Sequence, residues 1–161
     1  MMKASQDLLS DIQAYCDSTN IVGSLANISA AIYLSVPQLN WVGFYIDDGE
    51  QLRLGPFQGS PACTHIAYHR GVCGAAFSQK KTLCVNDVQT FPDHIVCDTA
   101  SRSEVVVPLF TGGVGWGVLD IDSPVIHRFS ASDVHLFDQI GEIISQRLHY
   151  SKNLFFASTR I

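Results

Sequence analysis

Charge, basic clusters and long apolar runs are all scarce in this chain, and each shortage removes a class of function. Only 16% of its 161 residues are charged, ten basic against fifteen acidic, giving a formal net charge of −5. No run of Lys and Arg builds the positive stripe that nucleic-acid phosphates require, so no nucleic-acid partner is expected. No apolar stretch approaches the roughly 20 residues that cross a bilayer, and MMKASQDLLSDIQ has no signal-peptide core. A cytoplasmic protein away from membranes is the expectation. The five cysteines (Cys16, Cys63, Cys73, Cys84, Cys97) include no C-x-x-C pair, which weakens thioredoxin-like and zinc-ribbon readings. Repeats, low-complexity tracts and linkers are missing too, so residues 1–161, 47% apolar, are read as a single domain.

What is present is a regular alternation of periods. Leu8, Leu9, Ile12, Tyr15 and Cys16 recur at helical spacing, and SLANISAAIYLSV continues as a second helix up to Pro37, so residues 1–36 carry N-terminal helices. LNWVGFYID reads as a strand, and Asp-Gly before QLRLGPF signals a hairpin. Cys63 to His69 reads as a short strand, GVCGAAFSQKK as a short helix and TLCVND as another strand. Val88 to Ser103 reads as a long loop, followed by the hairpin EVVVPLF–TGG–VGWGVLDID. Residues 39–123 thus hold the sheet, the short helix and the site loops. A last helix over 130–150, capped by Ser130 or Ser132, turns Val134, Phe137, Ile140, Ile144 and Leu148 inward. The fold class is α+β: an antiparallel sheet with terminal helices packed on one face, and loops covering a pocket on the other.

The alternation also sorts the polar residues. In VLDIDSP, Asp120 and Asp122 share one face while Leu119 and Ile121 take the other. Glu104 opens the preceding strand and comes near the same end. Three acids on an otherwise apolar hairpin repel one another, and burying them calls for an ammonium group, a metal or a shared proton. Trp41, Gly43 and Tyr45 form one face of the first strand, an aromatic wall with room for a small ligand, whereas Val42, Phe44 and Ile46 belong to the core.

The cysteines divide by position. Cys16 falls on the apolar stripe of the first helix; Cys84 could face core or surface. Cys73 follows Gly71 at the start of the short helix, where backbone amides would lower its pKa, although simple packing explains it as well. Cys97 has Asp98 beside it, which disfavours a thiolate, and His94 three residues earlier, which when protonated favours one. A zinc site of Cys63, Cys73, Cys97 and a histidine is conceivable, but its gaps match no compact zinc pattern. A Cys-His protease arrangement lacks a nucleophile turn.

Taken together, LNWVGFY, LGPFQGSPACTHI, GVCGAA, FPDHIVCDTASRSEVVVPL and GVLDIDSP closely resemble the free methionine-(R)-sulfoxide reductases, single-domain enzymes with a GAF fold. The resemblance runs from Leu39 to Phe129. It implies that Cys97 attacks the sulfoxide sulfur, that Cys63 resolves the sulfenic acid as a disulfide, and that Cys73 is the third family cysteine. It implies Trp41 and Tyr45 as pocket aromatics and Glu104, Asp120 and Asp122 as substrate-binding acids. Chemically, a sulfoxide needs its oxygen protonated, and a carboxylic acid beside another acid can supply that proton; Glu104 or Asp122 is the candidate. No metal and no tightly bound cofactor are implied. Reducing equivalents would come from thioredoxin and ultimately NADPH, the partner being free methionine sulfoxide, with a homodimer left open. The competing expectation is a non-catalytic GAF sensor, against which stands the lack of any output segment after Ile161.

Overall fold

Every fourth residue of the first helix, α1 (Met2–Cys16), is apolar through Leu8, Ile12 and Cys16, and that stripe is buried. α2 (Ile21–Ser35) starts where the Asn20 side chain accepts from the Gly23 N–H at 3.0 Å. It stops at Val36, which the following Pro37 forces into extended backbone. The computed structural model describes residues 2–95, 97 and 99–148. Asp98 and residues 149–161, including the end of the helix expected over 130–150, lie outside them.

Then come β1 (Trp41–Asp47), β2 (Leu52–Gly59), β3 (His65–Ile66), α3 (Gly71–Gln79), β4 (Leu83–Val85), β5 (Ser103–Thr111), β6 (Val114–Ser123) and α4 (Ala131–Arg147). The expected order of these elements is the observed one, except that a 3-10 turn (Val88–Thr90), capped by Asp87, stands at the start of the segment expected as a long loop. The β1–β2 turn is fixed by Asp48 Oδ1, which accepts from the N–H groups of Glu50 and Gln51. The β5–β6 hairpin turns through Gly112 and Gly113, at φ 56° and 81°, which side chains rarely adopt. α4 is opened by Ser130 rather than Ser132: its side chain accepts from Asp133 N–H, and the Asp133 carboxylate accepts from Ser130 N–H.

The six strands form one antiparallel sheet in the order β3-β2-β1-β6-β5-β4. One face carries Val42, Phe44, Ile46, Val105, Val107, Leu119 and Ile121 against α1, α2 and α4, including Ile12, Ile28, Phe137, Ile140 and Ile144. On the other face Trp41, Tyr45, Val106 and Val118 meet Val72, Cys73 and Ala76 of α3. The loops expected over that face are there, and α3 adds to the cover. A departure concerns Cys63 to His69, where only His65 and Ile66 pair as strand. The cause is local. Pro61 has no N–H to give, and the carbonyls of Ser60 and Cys63 accept instead from Trp41 Nε1 and Tyr45 Oη, at 3.1 and 3.0 Å.

Candidate active site

Strand register builds the floor of a cavity between the sheet and α3. Across β1 and β6, Trp41 pairs with Asp122 and Gly43 with Asp120; across β5 and β6, Glu104 pairs with Asp122. Residues directly opposite share a face, so the two aspartates, Glu104 and the aromatic wall all point the same way. Gly43 is what lets this wall close. A Cβ there would lie 2.4 Å from Phe57 Cβ and 2.5 Å from the Trp41 ring, where those two rings stack at 5.3 Å. The cavity is lined by Trp41, Tyr45, Cys73, Cys97, Glu104, Asp120 and Asp122 among others, and its enclosed space is about 40 Å³. That is room for a few waters.

Cys63 and Cys97, 34 residues apart in sequence, are joined by a disulfide with their Cα atoms 5.2 Å apart. Cys97 lines the cavity, and the loop of Cys63 is held to β1 by the Trp41 and Tyr45 hydrogen bonds. The aromatic pair therefore positions a cysteine loop as well as walling the pocket. A zinc site using both of these sulfurs is inconsistent with the bridge. Cys16 is buried among the core helices. Cys84 pairs opposite Val105 and so takes the helix-bearing face, but on an edge strand, where it is exposed.

Cys73 corrects one expectation. It does stand in the first turn of α3, yet its pKa is pushed well up rather than down. Burial is the main cause, followed by the charges of Asp120 and Glu104, and together these outweigh the helix amides. Its thiol donates to Glu104 Oε1 at 3.9 Å. His94 also departs from expectation: it lines the cavity, but burial lowers its pKa, so at neutral pH it offers Cys97 no cation.

Glu104 and Asp120 are 7% and 6% exposed, which excludes the reading that these acids merely solubilise a surface. Burial, then the charges of Asp120 and Asp122, raise the Glu104 pKa far above the carboxylate range. Burial also raises Asp120, to about 6, against hydrogen bonds from Cys73 and Glu104 that hold it down. Although Asp122 is opposite Glu104 in register, the Glu104 carboxyl reaches toward Asp120 and Cys73. One ligand atom from each of these three lies within 4.8 Å of the others, the set best placed to hold a cation. Chemically, the floor offers a protonated acid, a carboxylate and a thiol beneath a second, bridged thiol pair.

Arg70 and Ser101 also line the cavity and were not singled out from sequence. Arg70 directly precedes GVCG, the one signal that could have flagged it. Ser101 is buried and accepts from Asn40 Nδ2 at 2.9 Å, which ties the segment after Cys97 to the start of β1.

Residues 25–149 match the GAF domain family. The chain is 44% identical over 157 residues to a free methionine-R-sulfoxide reductase of Escherichia coli (strain K12), covering 94% of this chain and 93% of that one. The structure of free methionine-R-sulfoxide reductase from Neisseria meningitidis in complex with its substrate superposes with a TM-score of 0.85. It is 41% identical and covers 90% of this chain and 89% of its own. The reduced form of the Staphylococcus aureus fRMsr gives 0.86 at 42% identity, covering 90% and 95%.

Proposed function

This chain belongs to the free methionine-R-sulfoxide reductases of the GAF-domain family, and from that premise we propose that it reduces free L-methionine-(R)-sulfoxide through a cysteine sulfenic acid and an intramolecular disulfide. The observation that carries the reading is the Cys63–Cys97 disulfide beside a buried acid pair in one cavity.

The steps balance as follows. The Cys97 thiolate attacks the sulfoxide sulfur while Glu104 gives its proton to the oxygen, forming an S–S bond; the hydroxyl then passes to the Cys97 sulfur as that bond breaks, which frees methionine and leaves Cys97 as a sulfenic acid. Glu104 suits this role because its raised pKa keeps a proton on it at neutral pH. The Cys63 thiol then displaces that oxygen as water and forms the disulfide. A dithiol protein of the thioredoxin class, fed ultimately by NADPH, returns the pair to thiols by exchange, consistent with a cytoplasmic location. In the disulfide state Cys97 carries no thiolate; in this cycle it is the state left after product release.

Binding follows from charge. Asp120 and Asp122 face the α-ammonium of a free amino acid, and Trp41 and Tyr45 enclose the S-methyl end. In a peptide that ammonium becomes a neutral amide, and the buried Asp120 would lose its cation at a cost of several kcal/mol, roughly what broken buried pairs lose. With dithiothreitol as reductant, we expect turnover of the free R epimer and little or none of the S epimer or of N-acetylated, amide-capped methionine sulfoxide. Equal rates on the capped compound would overturn the ammonium argument. A non-catalytic binding module would lose no thiols on adding methionine sulfoxide, whereas the reductase loses two per turnover.

A further inference from the structure

The acid pair and the third cysteine form a cluster whose chemistry exceeds what sulfoxide reduction asks of it. Sγ of Cys73 and one carboxylate oxygen each from Glu104 and Asp120 lie within 4.8 Å of one another, on three different elements, α3, β5 and β6. All three side chains are buried, and all three line the cavity. Asp120 takes hydrogen bonds from Cys73 and Glu104, yet its Oδ1, on a residue only 6% exposed, has no hydrogen-bond partner and is an acceptor open to a donor or a cation.

We propose that Cys73, Glu104 and Asp120 form a binding site for one thiophilic divalent cation, zinc above all. Zinc takes one thiolate sulfur and two carboxylate oxygens readily, and water can complete four-coordination. In a tetrahedral set the ligand atoms stand roughly 3.5 Å apart, so small side-chain rotations bring these three into range. The sulfur decides the metal: hard cations such as magnesium and calcium prefer all-oxygen sets and do not compete. Binding replaces the proton on the Cys73 thiol and the proton held by Glu104, releasing both to solvent, with no change of oxidation state. Cys63 and Cys97 take no part, so the site exists while their disulfide is closed. A cation there occupies the place of the α-ammonium and removes the proton that the proposed reaction uses. If that reading holds, zinc silences the enzyme by competing with its substrate; the site itself does not depend on it.

Cobalt(II) is the probe, because a thiolate ligand gives it a charge-transfer absorption that carboxylates do not. The protein is used with its Cys63–Cys97 disulfide closed and with Cys84→Ser, to remove the exposed thiol. One equivalent of Co²⁺ should produce the thiolate band, one equivalent of Zn²⁺ should bleach it, and excess Mg²⁺ should leave it unchanged. Cys73→Ser should abolish the band while circular dichroism confirms the fold. Glu104→Gln and Asp120→Asn should each weaken Co²⁺ binding by at least the about 10- to 100-fold that loss of a supporting partner costs at metal sites. No band at stoichiometric Co²⁺, or a band that survives Cys73→Ser, overturns the proposal. No turnover is involved, so failure of the reductase reading and failure of this site are read separately.

Discussion

A sulfur attacks only as a thiolate, so the surroundings of each cysteine decide what it can do. Cys73 is buried against two carboxyl groups that favour its S–H form, whereas Cys97 is half-buried, lines the cavity and is already bridged to Cys63. Cys97→Ser should therefore abolish methionine release even in a single turnover. Cys63→Ser should complete one turnover and stop as a sulfenic acid, captured by a dimedone-type trap and seen by mass spectrometry. Full single-turnover activity in Cys97→Ser would transfer the attacking role to Cys73. The same crowding of acids gives a pH signature. Asp120 moves from 3.8 to about 6 on folding. With the folded pKa above the unfolded one, the native state holds more protons between those values. The associated stability is present below pH 4 and lost as pH rises through 6, by a few kcal/mol at roughly 1.4 kcal/mol per pKa unit. Glu104, raised by the same burial, adds a loss of the same sign as pH rises. We expect the urea midpoint of the ligand-free protein to fall over this range more steeply than that of Asp120→Asn. Equal slopes would show that Asp120 does not carry the effect.

At the scale of elements, the wall of the cavity depends on the close approach of β1 to β2 at Gly43, where their register shifts. A methyl group there meets Phe57 Cβ and the Trp41 ring at about 2.5 Å, and neither can move without disturbing the stack that encloses the pocket. Gly43→Ala is expected to cost about 1–3 kcal/mol of stability, as overpacking does, and to raise KM more than it lowers kcat. Urea unfolding and steady-state kinetics measure the two; no change in either would show that the wall relaxes around a methyl. The period-2 patterns of β1 and β6 were legible because each strand has one face on the helical core, so Trp41, Tyr45, Asp120 and Asp122 could be assigned a side from sequence. The neighbouring of β1 and β6 could not, since about 70 residues separate them and their pairing is settled by packing rather than by local pattern. The Cys63–Cys97 pair was equally invisible to spacing and entered only through resemblance. Cys73 was misread because helix position is a local cue, while its neighbours Glu104 and Asp120 arrive from distant strands.

Taken whole, the molecule divides its labour across the sheet. The helix-bearing face holds α1, α2 and α4 over a mainly apolar layer in which Ile12, Ile28, Ile140 and Ile144 are fully buried. The opposite face spends its burial on Glu104, Asp120 and a pair of aromatic residues, an arrangement that costs stability and makes a site. Among the described residues no helix is long and apolar enough to cross a membrane. Substitutions on the two faces should then separate. Ile140→Ala, which empties a fully buried site between α4 and the sheet, should cost about 2–5 kcal/mol in urea unfolding. Its kcat per folded molecule should stay within about twofold of the parent, since a change of 1.4 kcal/mol at the transition state would already be tenfold. Cys97→Ser should do the reverse, losing activity while keeping a single cooperative unfolding transition. If Ile140→Ala lost activity in proportion to its stability, the two faces would be one mechanical unit. The sheet would then be transmitting strain from the core to the acids.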